Sequence, residues 1–342
     1  MWPRMWPGCW RSKVATLLGR RLQSTIAVVR MLAAVCAIGA AVTAAAAAPA
    51  STAAQSAATM TTPSARTVAI TIDDLPRGGD NGPRDLTSLT TMTAKLLKPF
   101  AEQHIPVIGF VNAGRYADDE PGLRKLLNQW LDAGAQLGNH SYSHPDLNNV
   151  PLAQYTADIT RGETPLRDVL AARGQKLVYF RHPFLHVGAT PENKQGLAQF
   201  LSQQGYVVAP VTFDTADYAW AASYLRPEDH ARAASGYLPY MESVVSFFEQ
   251  RAVEVVGREF PQILLIHANQ LNADQMPELL AMFRRRGYRF VTLQEALRDS
   301  AYQLPEDYVG RGGFSWIHRW SRAKGMPGKG EPDPPAWVMK GF

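Results

Sequence analysis

The sequence predicts an α/β fold, a barrel of parallel strands wrapped in helices. Three observations carry this prediction. From Arg66 to about Ser300, short apolar runs alternate with stretches of helical periodicity, the pattern of a parallel sheet covered by helices. Seven such units fit a closed barrel better than an open sheet. Five of the runs deliver chemically capable residues at their ends: Asp73 with Asp74, then His140, Arg181, Asp214 and His267. In α/β barrels function gathers at the C-terminal ends of the strands, whereas polar residues without a shared task would scatter.

Candidate strands are 67–73, 106–111, 135–139, 177–182, 206–213, 262–267 and 288–292. Helices are expected over 86–103, 121–133, 151–172, 193–204, 230–258 and 274–286, with another beginning near Gln294. The first strand sets the pattern. Val68, Ile70 and Ile72 are apolar and β-favouring, and Pro76 stops the run after Asp73-Asp74. Within the long helix, Leu238, Met241, Val244, Val245, Phe248 and Ala252 recur at helical spacing and are expected to face the core.

The chain has 342 residues and a formal charge of +5. Arg4, Arg11, Lys13, Arg20, Arg21 and Arg30 lie in the first fifty residues, which hold no acid; without those six, 29 basic residues face 30 acidic ones. The body of the chain therefore carries no nucleic-acid footprint. Residues 1–50 run from basic, through an apolar stretch starting at Met31, to small residues, the order of a secretory signal. Cleavage is expected at roughly Ala46–Ala50, and Met31 is an alternative start. The apolar run is also marginally long enough for an anchor, but it is Ala-rich and weakly apolar. The expectation is an exported protein, periplasmic or extracellular, with no stable membrane insertion after signal removal. Residues 51–65 read as a flexible Ser/Thr/Ala linker. Both cysteines, Cys9 and Cys36, precede the cleavage region, so a metal in the mature chain must be held by His, Asp or Glu.

Two adjacent carboxylates at a strand end are costly unless something positive compensates them. A metal ion would do so, with one carboxylate as ligand and the other, on the opposite side of the strand, free as a base. Taken alone, the Asp pair is better read as a turn or helix cap after an ordinary strand; the rest of the chain changes that reading. His140-Ser141-Tyr142-Ser143-His144 supplies two histidines four apart, which would face one side of a helical turn and could share a metal with Asp74. Arg181, before His182-Pro183-Phe184, could pair with Asp73 and keep it ionised. His182 points to the other face and reads as structural. In Asp214-Thr215-Ala216-Asp217-Tyr218 a carboxylate could orient a catalytic histidine and raise its pKa. His267 ends the apolar run Leu264-Leu265-Ile266 at the same rim.

These five stretches, in this order, resemble the polysaccharide deacetylase family, also called the NodB homology or carbohydrate esterase four family, over roughly residues 66–295. The family's Thr-Phe-Asp-Asp stands here as Thr71-Ile72-Asp73-Asp74, and its His-Ser/Thr-x-x-His as His140 to His144. Its Arg-x-Pro-Tyr/Phe stands as Arg181 to Phe184, its Asp-x-x-Asp-Trp/Tyr as Asp214 to Tyr218, and its Leu-x-Leu-His is approximated by Leu264 to His267. The resemblance implies a distorted (β/α)7 barrel spanning residues 66–300. It implies a metal-dependent hydrolase that removes acetyl groups from N- or O-acetylated sugars of a glycan. It assigns Asp73 as base, His267 as acid, and Asp74, His140 and His144 as ligands of a divalent metal, usually zinc. Arg181 would hold Asp73 and Asp217 would tune His267. Phe184 would lend a backbone N–H to the oxyanion, and Tyr218 would line the substrate groove. The family's Phe, Tyr-Gly and Trp are replaced by Ile72, Phe184-Leu185 and Tyr218, which bears on the groove wall more than on the chemistry.

Two other functions fit the same residues: a small-substrate C–N amidohydrolase on this scaffold, with 219–260 closing the groove, and a glycan-binding protein with a defunct site. The intact acidic and histidine set argues against the latter. Residues 301–342 are rich in Pro and Gly and carry Trp316, Trp320 and Trp337. They are expected to fasten this extension to the barrel rather than to stack on sugars.

Overall fold

A computed structural model describes residues 66–340. The expectations for the targeting segment, the two cysteines and the linker lie outside the described residues. The elements run β1 (Arg66–Leu75), α1 (Leu86–Glu102), β2 (Val107–Val111), α2 (Glu120–Asp132), β3 (Gln136–Asn139) and α3 (Leu152–Ala171). They continue with β4 (Tyr179–Phe180), α4 (Pro191–Gln203), β5 (Val207–Val208), α5 (Asp217–Tyr224), α6 (His230–Val256), β6 (Gln262–His267) and α7 (Gln270–Arg285). The last are β7 (Tyr288–Phe290), α8 (Leu293–Ala296) and α9 (Trp316–Ala323).

All pairings between these strands are parallel, in the order β5-β4-β3-β2-β1-β6, with β7 beside the first residues of β1. Beyond β5 the chain crosses to β6. There Phe213 bridges Leu264, and the N–H groups of Thr212 and Phe213 donate to the Ile263 carbonyl. That contact joins the two ends of the strand order, so the sheet closes as a distorted barrel. Side chains alternate along β1 as the pleat requires. Val68, Ile70 and Ile72 pack in the main core, which includes Leu96 and Phe100 of α1 and Leu279 and Phe283 of α7. Ala69 turns the other way, into a smaller cluster with Ile108, Phe110, Tyr179 and Ile263.

Several helices begin where short polar side chains accept orphan N–H groups. Asp85 accepts from Ser88 on α1, Asp119 from Gly122 on α2, Thr190 from Asn193 on α4, and Asn269 from Asn272 on α7. On α6 the expected face is the buried one, with Met241, Val244, Val245, Phe248 and Ala252 in the core.

Four local features differ from the sequence reading. β1 does not stop at Asp73 but runs to Leu75. The fourth and fifth strands shrink to two residues each, because Arg181-His182-Pro183 leaves the ladder and because residues 209–213 cross between β4 and β6. Helix α5 was not expected: its buried Ala219, Trp220, Ala221 and Ser223 give no one-sided stripe. Helix α9 lies in the extension read as Pro/Gly-rich. It buries Trp320 against Phe260 and Tyr302, at 5.8 Å from each ring, while Trp337 meets Trp220 edge-on at 5.6 Å.

Candidate active site

Strand register brings the site together. Asp73 on β1 lies directly opposite His267 on β6. Val111 on β2 pairs Asn139 on β3, and Asn139 pairs Phe180 on β4. The next residues, His140 and Arg181, therefore leave their strands at the same rim. His140 N–H donates to the Val111 carbonyl and Arg181 N–H to the Asn139 carbonyl, both at 3.0 Å.

The two carboxylates do not face opposite sides of the strand. Asp74 has φ 67°, a left-handed conformation that Asp tolerates better than most residues. The β1–β2 register shifts between Ile72 and Leu75. The local twist turns Asp74 back onto the face Asp73 occupies. His140 Nε2 lies 3.7 Å from Asp73 Oδ2 and 3.6 Å from Asp74 Oδ1. Gly78 leaves room for this, since a Cβ there would sit 2.1 Å from the Asp74 Cβ.

The histidine pair sits on a loop, not the helical turn its spacing suggested. Ser141 (φ 68°) and His144 (φ 57°) are both left-handed. The loop is held by side chains: Asn139 Oδ1 accepts from Ser141 N–H, Ser141 Oγ from His144 N–H, and Asp158 from Tyr142 and Ser143. The rings still converge, with centroids 4.9 Å apart. His144 Nε2 lies 3.5 Å from Asp74 Oδ1. His140 Nδ1 lies 2.8 Å from the Arg181 carbonyl. Donating its proton there leaves Nε2 with the lone pair that faces Asp74.

Asp74, His140 and His144 form a cluster able to hold a metal ion, their ligand atoms all within 4.8 Å of one another. The donor set fits a divalent cation. Asp74 Oδ1 is buried and accepts no hydrogen bond from the protein, a costly state unless a cation sits there. Burial lowers the pKa of His140 and takes His144 down to about 4, so both rings are neutral at pH 7, the state in which imidazole can donate to a metal. Burial acts to raise the Asp74 pKa, but Arg115 and the surrounding histidines outweigh it and hold the carboxyl well below its usual range.

Asp73 is buried as well. Burial raises its pKa to about 6, against the pull of Arg181 and His267. The fully buried Arg181 donates to Asp73 Oδ2 at 3.3 Å and to Thr71 Oγ1 at 2.9 Å, and its guanidinium lies 4.8 Å from the Phe110 ring centre. Asp73 Oδ1 stays without a protein partner. Across the rim, Asp217 Oδ1 holds His267 Nδ1 at 2.8 Å, and Asp217 Oδ2 accepts from the His267 N–H at 2.8 Å. Burial would lower the His267 pKa, but Asp217 outweighs it and takes it up to about 9. Phe184 packs edge-on against His144 at 4.4 Å, and Tyr218 against His267 at 5.9 Å. His182 is buried against Phe180, 5.2 Å between ring centres, and burial takes its pKa down to about 3.

Sequence reasoning missed three residues. Arg115, just after β2, pairs with Asp74 Oδ2 at 3.0 Å. Asn112 accepts from Arg115 Nε at 3.1 Å and donates its amide to the His140 carbonyl, linking two would-be ligands. Asn272 of α7 donates to Asp217 Oδ2 at 2.7 Å and to the His267 carbonyl at 2.8 Å. A lone Arg or Asn has no spacing signature. Asn269, left without a role by the sequence, caps α7 and also reaches Asp217 Oδ2 at 3.3 Å.

Residues 61–206 match the family model described as "Polysaccharide deacetylase". That span includes Asp73, Asp74, both rim histidines and Arg181; Asp217 and His267 lie beyond it. The chain is 26% identical over 236 residues to a chitin deacetylase of Colletotrichum lindemuthianum, covering 68% of this chain and 80% of that protein. It is 24% identical over 239 residues to a peptidoglycan-N-acetylglucosamine deacetylase of Bacillus cereus, covering 68% and 69%. Among solved structures, a polysaccharide deacetylase from Bacillus cereus matches with a TM-score of 0.47 at 18% identity, covering 66% of this chain and 91% of that one.

Proposed function

We propose that this chain, whose residues 61–206 match the polysaccharide deacetylase family model, is a polysaccharide deacetylase, a metal-dependent hydrolase removing acetyl groups from the amino sugars of an acetylated glycan. The observation that carries the metal dependence is Asp74 Oδ1, buried, without a protein donor, and within 3.6 Å of two imidazole nitrogens. Asp74, His140 and His144 would hold the ion, with Zn2+ the best fit to two neutral imidazoles and a carboxylate. Bound there, it supplies Lewis-acid polarisation of the acetyl carbonyl and acidifies the attacking water.

The remaining work falls to the chain's own residues. Asp73 takes the water's proton at Oδ1, the oxygen that Arg181 does not hold. Arg181 keeps Asp73 oriented and favours its ionised form. His267, kept protonated by Asp217, delivers a proton from Nε2 to the leaving nitrogen. The Phe184 backbone N–H and its neighbourhood stabilise the oxyanion, a role supported by the packing of Phe184 on His144. Tyr218, beside His267, borders the sugar. Substrates of this kind lie outside the cytoplasm, which agrees with the export signal read in residues 1–50. Among the described residues no helix is long and apolar enough to cross a membrane.

The test is acetate release from chitin oligomers, peptidoglycan and acetylated xylan, with chelator and with zinc restored. Chelator-sensitive release from an N-acetylated glycan is expected. Release that is indifferent to chelator, or confined to a small amide, would overturn the reading.

A further inference from the structure

Pro183–Leu185 forms a short 3-10 turn in which Phe184 (φ 56°) and Leu185 (φ 55°) are both left-handed. Two such side-chain-bearing residues in succession are unfavourable, and persist only where the surroundings fix them. The turn's own hydrogen bonds are two: Leu185 N–H to the His182 carbonyl and His186 N–H to the Pro183 carbonyl, both 3.0 Å. Further restraint comes from the C-terminal extension.

Arg319 of α9 is completely buried. Its Nη2 donates to the Leu185 carbonyl, and its Nε donates to the Phe314 carbonyl at 3.0 Å. The guanidinium lies 4.1 Å from the Trp316 ring centre, and Trp316 N–H donates to the Val211 carbonyl at 2.7 Å. Trp316 also packs on the cluster of Leu185, Val211 and Leu265. Gly313 passes so close that a Cβ would sit 1.9 Å from the Phe184 carbonyl oxygen. Asn148 donates to the Arg311 carbonyl at 2.9 Å and contacts His186 at 2.7 Å, tying the far end of the turn to the extension. A buried guanidinium that spans two backbone carbonyls from different parts of the chain does more than fill space.

We infer that residues 311–319 act as a positioning clamp on the active-site turn, with Arg319 and Gly313 setting the backbone of Phe184 and Leu185 from behind. The inference rests on the reading of Phe184 as a site residue. Arg319 touches no reacting atom; it is a positioning residue.

The test compares Arg319→Met, Arg319→Lys and Gly313→Ala in the full chain, reading kcat, KM, bound metal and hydrogen–deuterium exchange of the amides within 183–187, those of 184–187. In Arg319→Met and Gly313→Ala, exchange at 183–187 should quicken while β1 and β6 stay protected. A displacement of about 1 Å at the turn should cut kcat on the order of a hundredfold, with KM and metal content unchanged. Arg319→Lys should recover part of the loss. Unchanged exchange at 183–187 in both variants overturns the clamp whether or not a substrate has been found. Quickened exchange with wild-type kcat overturns its catalytic purpose. If the wild-type chain cleaves no acetylated glycan, the deacetylase reading fails, while quickened local exchange still supports the clamp.

Discussion

At the rim, Asp217 is the residue proposed to tune His267. Both its oxygens point at His267, one to the ring and one to the backbone. His267 must carry its proton to act as acid, so turnover should fall as pH rises through about 9. A cation beside Asp73 favours its ionised form, which puts the opposite limb at or below about 6. Asp217→Asn should move the alkaline limb down, toward or below the ordinary histidine value of ~6.5, because burial remains and the compensating charge is gone. A pH–rate profile with the limb still near its wild-type position would contradict this role. The His267–Asp217 pair also has a sign in stability. His267 is raised in the folded state, so its contribution is complete below the unfolded histidine pKa and is lost as pH rises through about 9. At the ligands, Asp74→Ala or His140→Ala should abolish metal binding, as read by metal analysis of the purified chain. Retained affinity in either would count against the assignment. The residue types of this site were legible because carboxylates and imidazoles at strand ends are informative. Arg115, Asn112 and Asn272 were not, because their meaning comes only from what the fold brings beside them.

At the scale of elements, what mattered most was backbone conformation rather than strand placement. Seven strands were legible because apolar runs bounded by Gly, Pro and polar residues stand out. The left-handed Asp74 was not, although Asp is among the residues that tolerate it. That one dihedral converts the expected alternation into two carboxylates on one face. The His-x-x-x-His spacing suggested a helical turn, yet the loop of Ser141 and His144 reaches the same convergence through Asn139, Asp158 and Ser141 Oγ. Gly78 tests this layer. Gly78→Ala places a methyl against Asp74, so metal affinity should fall by roughly 10- to 100-fold. Circular dichroism should stay native. Unchanged affinity would mean that the loop moves aside without disturbing the ligand.

Across the whole molecule, residues 66–340 form a barrel whose candidate site lies at one rim and whose C-terminal extension packs against it. The excess of basic residues lies in the first fifty, outside the described residues, which leaves 29 basic against 30 acidic residues in the rest of the chain. The extension was legible only in its tryptophans: Trp320 is buried with Phe260 and Tyr302, and its helix was hidden by flanking Pro and Gly. Trp320→Ala should cost about 3–5 kcal/mol of stability in denaturant titration, with metal content unchanged in the folded fraction. A loss below ~1 kcal/mol would mean the extension is not part of the barrel's core. The central claim, that one ion at Asp74, His140 and His144 drives hydrolysis, is tested most directly by titrating the metal-stripped chain with Zn2+ while following acetate release. Activity should rise linearly and break at one equivalent, and His140→Ala should show neither tight binding nor activity. Full activity in the stripped chain, or in His140→Ala, would contradict the account.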